Sequence, residues 1–101
     1  MNGRDILTTA VEGGIGYWAT VTASKRAEDL SWLEVTLEPA GDPDEFKPVT
    51  VKCGSLPEAL RSFAKAHPKT RTAEYVKNDD IDAEAADVAV QVAAFGEVVY
   101  G

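Results

Sequence analysis

The stretch Glu12–Ser24, "EGGIGYWATVTAS", decides how the rest of the chain is read, because three glycines in its first five residues end one hydrophobic pattern and begin another. Before them, Asp5 can cap the amides of "ILTTAVE". Ile6, Leu7, Ala10 and Val11 lie on neighbouring helical rows, and Gly13 offers a left-handed stop. After Gly14 and Gly16 the period becomes two. Tyr17, Ala19 and Val21 point one way and Trp18, Thr20 and Thr22 the other, which predicts a first strand over about 16–24 with one wet face. The glycines therefore mark a helix-to-strand corner.

Reading outward, "SKRAED" is a polar connection and "LSWLEVTLE" resumes alternation, with Leu33, Val35 and Leu37 inward and Trp32, Glu34, Thr36 and Glu38 outward. "PAGDPDE" reverses the chain with two prolines and a glycine. "KPVTVKC" then supplies a third strand with Val49, Val51 and Cys53 inward. Connections this short favour an antiparallel meander. Ser55 and Glu58 form a capping-box pattern ahead of a helix to His67, whose stripe is Leu56, Leu60, Phe63 and Ala64. Residues 68–80 read as a long connection with a short extended piece at Tyr75 and Val76. From Asp82 a final helix follows, with Ile81, Ala85, Val88, Val92, Phe95 and Val99 as its apolar stripe toward the sheet. The expectation is one α+β domain over residues 1–101, order αβββαα, with helices on one face of a three-stranded antiparallel sheet.

Composition bounds the function. A chain of 101 residues, 45% hydrophobic, can bury a core without a disulfide, and its single cysteine, Cys53, points to a reducing, cytoplasmic setting. No apolar run reaches the roughly 18 residues of a membrane span, and no signal-peptide core opens the chain. The net charge of −7 argues against a general nucleic-acid binder. Charge is nevertheless segregated: −6 over residues 1–45, +5 over 46–77 and −6 over 78–101. The basic middle is expected to pair with its acidic flanks.

No catalytic set closes. The glycine turn follows a helix and leads into a strand, the reverse of the order in which a phosphate meets a helix N-terminus. His67 is the only histidine, placed at a helix end before Pro68, and Cys53 could reach it only through a tertiary accident. "NDDIDAE" lacks the glycine and terminal glutamate of a calcium loop and reads as N-cap chemistry, so neither a metal nor a cofactor is expected. What stands out is aromatic and polar. Trp18 and Trp32 fall on the wet face as a possible platform, and Glu84, Asp87 and Gln91 line one edge of the last helix. With Glu12 these three would make an oxygen-rich pocket, against the alternative of a solvated or hydrogen-bonded helix border. The candidate binding residues are Glu12, Tyr17, Trp18, Trp32, Asp87 and Gln91.

Two segments, "DILTTAVEGGIGYWA" and "DAEAADVAVQVAAFGEVVYG", resemble small uncharacterised actinobacterial and phage proteins in which an EGG-x-x-YW segment accompanies a closing FGE-x-x-YG. The resemblance covers roughly the first and last fifths of the chain and implies a bacterial or phage setting. It carries no established activity onto any residue. Its position implies that the two ends meet in space. The leading expectation is a small acidic binding protein without catalytic activity, a phage or mobile-element factor acting on a host protein. The rival is a ligand-binding domain or enzyme built on the Glu12–Trp18 corner with Asp87 and Gln91.

Overall fold

Asn2, not Asp5, opens the first helix. In the computed structural model, which describes residues 1–101, the Asn2 carboxamide accepts the amides of Arg4 and Asp5 at the head of α1 (Gly3–Thr9). Ile6, Leu7 and Ala10 of this segment are buried, as their spacing predicts. The helix does not stop at a left-handed glycine. It widens into a π-helical turn over Ala10–Gly14, and the positive-φ glycines lie elsewhere, at Gly41, Gly96 and Gly101. Gly14 is needed for closeness rather than handedness: a Cβ there would stand 2.7 Å from the Ala83 carbonyl oxygen at the head of the last helix.

The expected strand starts late. The amides of Trp18 and Ala19 both donate to the Ile15 carbonyl, at 3.0 and 2.9 Å, so Tyr17 and Trp18 belong to a helical turn, and β1 runs Ala19–Arg26. Strand alternation does not govern these two side chains, and their expected faces are exchanged. Trp18 is buried at 2% exposure and Tyr17 is 59% exposed. β2 (Trp32–Pro39) pairs antiparallel with β1 and with β3 (Val49–Lys52), giving the order β1-β2-β3. Val35, Leu37 and Val51 are buried as expected, with Val49 and Cys53 packed beside them. The pairing steps from Lys25↔Glu34 to Arg26↔Trp32, so Leu33 is skipped in a bulge. Trp32 therefore leaves the wet face, packs half-buried against the core and is roofed by the Arg26 guanidinium, 3.7 Å from its ring. The expected platform of two wet-face indoles does not form.

A 3₁₀ turn over Cys53–Ser55 leads into α2 (Leu56–Ala66), and the Ser55 hydroxyl donates back to the Lys52 carbonyl at 2.7 Å instead of forming the expected capping box. The 68–80 connection holds no extended piece. Thr70 caps a short helix, α3 (Arg71–Lys77), accepting the Ala73 amide at 3.2 Å, and Thr72 and Ala73 are buried. Asp82 caps α4 (Ala83–Phe95) through the Ala85 amide, as the acid run predicts, and Gly96 closes it at φ 80. The element order is thus αβββααα.

α1 and α4 lie against β2 and β3, while α2 and α3 pack mainly on α4 and on each other. α4 is rotated relative to the expected stripe. Ala85, Ala86, Ala89 and Val90 are its fully buried apolar residues, Val88, Val92 and Phe95 are half-buried, and Val99 lies beyond the helix and is exposed. With helices and sheet on several sides, the small Ala86 and Ala89 side chains allow close approach where larger ones would not. One cluster of 13 buried residues, from Ile6 to Val90, forms the core of this α+β fold. Of the three ion pairs, only Arg71–Glu84 joins the basic middle to an acidic flank. The others are Lys25–Glu34 and the terminal amine with Asp79. The expected broad cancellation of charge is limited to that one contact. No helix is long and apolar enough to cross a membrane.

Candidate functional site

The turn that buries Trp18 brings it to α4, where Asp87 and Gln91 are one turn apart on the same row. The indole Nε1–H donates to Asp87 Oδ1 at 2.7 Å, and the Tyr17 hydroxyl donates to Asp87 Oδ2 at 2.6 Å. Gln91 Nε2–H donates to Asp87 Oδ1 at 2.9 Å and to the Tyr100 carbonyl at 3.2 Å. Its Oε1 accepts two backbone amides, Val99 and Tyr100, each at 2.8 Å. Those two amides require an acceptor, which fixes the orientation of the carboxamide. Gln91 is fully buried, and no buried side-chain nitrogen or oxygen in the protein lacks a partner.

The residues after Gly96 form a tail that this network grips. The Tyr100 ring stacks on Trp18, centroids 4.9 Å apart and planes within 10°, and its hydroxyl donates to the Ala40 carbonyl at 2.5 Å. Phe95 lies 5.7 Å from Trp18, and Phe46 lies 5.7 Å from Tyr100, so four aromatic rings close one end of the molecule. Phe95 anchors this cluster from a half-buried position rather than the deep core.

Electrostatically, Asp87 is the hub. The Tyr17 side chain is largely in water, and its hydroxyl loses part of its hydration where it meets Asp87. Loss of hydration there, reinforced by the hydrogen bond to Asp87 and that carboxylate's charge, pushes the phenol up to about 12. The Tyr100 phenol is also raised, first by burial and then by the charge of Glu45. Neither is poised to exchange a proton near neutrality.

Of the sequence-predicted binding residues, Tyr17, Trp18, Asp87 and Gln91 come together. Tyr17, Asp87 and Gln91, though not the buried Trp18, line a depression of about 270 Å³ together with Glu84, Val88, Val98 and Tyr100. Glu12 does not: it is exposed on the π-helical turn and takes no part in the network. Trp32 lies with Arg26 at the far end of the β1–β2 pair. Tyr100 and the Ala40–Phe46 loop were not singled out. The "FGE-x-x-YG" ending is the one signal that pointed toward Tyr100, and the contact of the two chain ends bears out that they meet. His67 caps the end of α2, its ring tilted 40° against Phe63 with centroids 4.7 Å apart, while Cys53 lies at the other end of that helix. No group of acids, histidine and cysteine is arranged to hold a metal ion. Compared with known protein families, curated proteins and solved structures, the chain shows no significant match, so the site has to be interpreted from its own geometry.

Proposed function

We propose that this protein is a small binding protein that engages another protein through the surface over the Asp87–Gln91 network. The observation that carries this reading is the contrast between the two sides of that surface. Beneath, Asp87 and Gln91 spend their hydrogen-bonding capacity on Tyr17, Trp18 and the tail, leaving the polar groups occupied and the backbone fixed. Above, Tyr17 and Val98 stand 59% and 40% exposed at the rim of one depression, and Val99, next to Val98 in the tail, is 41% exposed. Preorganised exposed aromatic and aliphatic groups are what a protein interface uses, since ordering costs are already met. The resemblance of both chain ends to small phage and actinobacterial proteins supports a cytoplasmic factor of a phage or mobile element acting on a host protein. The saturated network weighs against the rival reading of a small-molecule site at this corner.

Val98→Asp and Val99→Asp test the reading, because both side chains face water and their backbone grip is retained. Each variant is expected to keep the wild-type melting temperature and to lose the host protein that immobilised wild type retains. Retention of the same protein by both variants would place the interface elsewhere.

A further inference from the structure

β1 is an open edge of the sheet. It pairs only with β2, and the helices lie against β2 and β3. From Thr22 onward all its residues are exposed, and from Ala19 to Ser24 none is charged. The outward amides and carbonyls of this strand are therefore a ready template for another strand. The opposite edge differs, because β3 has only four residues and lies beside α4. Charge is placed unevenly along β1. Lys25 and Arg26 close it at one end, and at the other the cross-strand neighbour of Thr20 is the exposed carboxylate Glu38. Thr20 and Glu38 line a depression of about 290 Å³ with Gly16, Tyr17, Pro39 and Gly41, and no base lines it. Glu38 takes part in none of the three ion pairs.

The bulge decides how this strand can meet a copy of itself. Val21 and Ser24 stand opposite the buried Leu37 and Val35, on the helix side of the sheet. Thr20, Ala23 and Lys25 stand opposite Glu38, Thr36 and Glu34, on the open side. The extra residue Thr22 thus shifts the alternation by one. Opposite residues of an antiparallel pair share a face. Full overlap of two copies of Ala19–Arg26 sets Thr20 against Lys25, both on the open side, and Val21 against Ser24, both on the helix side. A slip by one residue would set Thr20 against Ser24 and mismatch the faces.

We propose that the β1 edges of two copies of this protein pair antiparallel about a two-fold axis, giving one six-stranded sheet in which Lys25 of each copy is directed at Glu38 of the other. The inference stands apart from the reading of the Asp87–Gln91 corner and adds a second surface with a defined occupant. Symmetry supplies the complementarity: the basic end of each strand arrives at the acidic depression of the other copy, twice over. Two strand spacings, about 10 Å, separate Lys25 from that Glu38, with only the Thr20 side chain between them, and the two long side chains can span it. Arg26 is engaged over Trp32, whereas the Lys25 side chain is 76% exposed and holds Glu34 at 3.4 Å from one side only. The bulges fall at the two-fold axis, so they interrupt the ladder at its centre and leave both ends free to pair.

Sedimentation equilibrium in 0.15 M salt tests this. At that ionic strength the repulsion between two chains of net charge −7 is screened beyond about 8 Å, while contacts within the sheet persist. Wild type is expected to dimerise with Kd below about 1 mM, in the range of a small interface. Lys25→Glu and Glu38→Lys should each stay folded by circular dichroism and weaken the dimer at least roughly fivefold, since each homodimer acquires two like-charge contacts. An equimolar mixture of the two variants is expected to recover association near wild-type strength, because the mixed dimer has opposite charges at both ends. A measurement on wild type alone guards against a variant that misfolds: outward amides of β1 should exchange hydrogen more slowly at about 1 mM protein than at about 20 µM, while those of β3 do not change. A wild type that stays monomeric at 1 mM, β1 exchange independent of concentration, or a mixture no better associated than its components would overturn the proposal. So would a dimer indifferent to both substitutions but abolished by Val98→Asp, which would place the contact between copies at the other surface.

Discussion

Replacing Gln91 by glutamate changes one atom of the buried network from a donor to an acceptor, and the consequence can be worked from the geometry. Gln91 Nε2 stands 2.9 Å from Asp87 Oδ1. Two full charges at that separation repel by about 6 kcal/mol at an effective dielectric constant of about 20. The pair has a cheaper course, which is to keep one proton. Holding a carboxyl of ordinary pKa near 4.3 protonated at pH 7 costs about 3.7 kcal/mol, at about 1.36 kcal/mol per pH unit. The smaller figure wins, and the retained proton restores a donor between residues 91 and 87, while the other oxygen still accepts the Val99 and Tyr100 amides. The folded variant thus binds a proton that the unfolded chain has released, so its stability falls as pH rises. Because one carboxyl proton cannot serve both Asp87 and the Tyr100 carbonyl, a pH-independent loss of about 1–2 kcal/mol adds to this, so Gln91→Glu is expected to lose about 4 to 6 kcal/mol at pH 7 and about 1 to 3 kcal/mol near pH 4.5, with the gap growing by about 1.4 kcal/mol per unit between. Urea denaturation followed by circular dichroism at several pH values measures this, with Gln91→Ala as the control whose loss does not carry that slope. A gap that is constant with pH, or absent at pH 7, would refute the assignment of Asp87 as a charged hub.

Trp18→Ala should lower stability by about 3–5 kcal/mol, because the indole is buried and stacked. Trp18→Phe, which keeps a ring but removes the donor to Asp87, should cost about 1.5–3 kcal/mol; a negligible loss for Trp18→Phe in chemical denaturation would mean the hydrogen bond contributes nothing. Leu30 sits at φ 68 at the tip of the β1–β2 hairpin, 68% exposed, so Leu30→Gly should relieve backbone strain and raise stability by about 0.5–1 kcal/mol; a lower melting temperature would contradict this. The Tyr17 phenol, raised from an ordinary value of 10 to about 12, contributes stability that is complete below about pH 10 and is lost as pH rises toward 12. The stability advantage of wild type over Tyr17→Phe should therefore shrink across that alkaline window, and an advantage unchanged up to pH 12 would place the hydroxyl outside the network.

Strand alternation was legible wherever the chain is regular. Val35, Leu37 and Val51 are buried because period-two residues on one face of a paired strand have nowhere else to go, and short turns made the meander antiparallel. Asp82 was legible as a cap because a carboxylate before a helix satisfies a free amide whatever packs around it. Glu84, Asp87 and Gln91 were legible as one edge because their spacing alone sets that, and it is along this edge that the candidate site formed. Where local pattern was ambiguous, packing decided. The phase of α4 could not be read because apolar residues occupy almost its whole circumference, so contact with α1, α2 and β3 selected the buried side. α3 was missed because seven residues are too few to display a helical period, and its support is tertiary. The side of Trp18 turned on a single helical turn at Ile15 that delayed the strand, and the side of Trp32 on a bulge at Leu33. Either irregularity reverses a side chain without changing composition or spacing. The sequence by itself determined the three strands, their antiparallel order and the Asp82 cap, since those depend on neighbours a few positions away. Only the tertiary structure decided that Tyr17, Trp18, Asp87, Gln91 and Tyr100 share one network, because hydrogen bonds spanning some 70 to 80 residues of chain exist only once the core has brought both ends together.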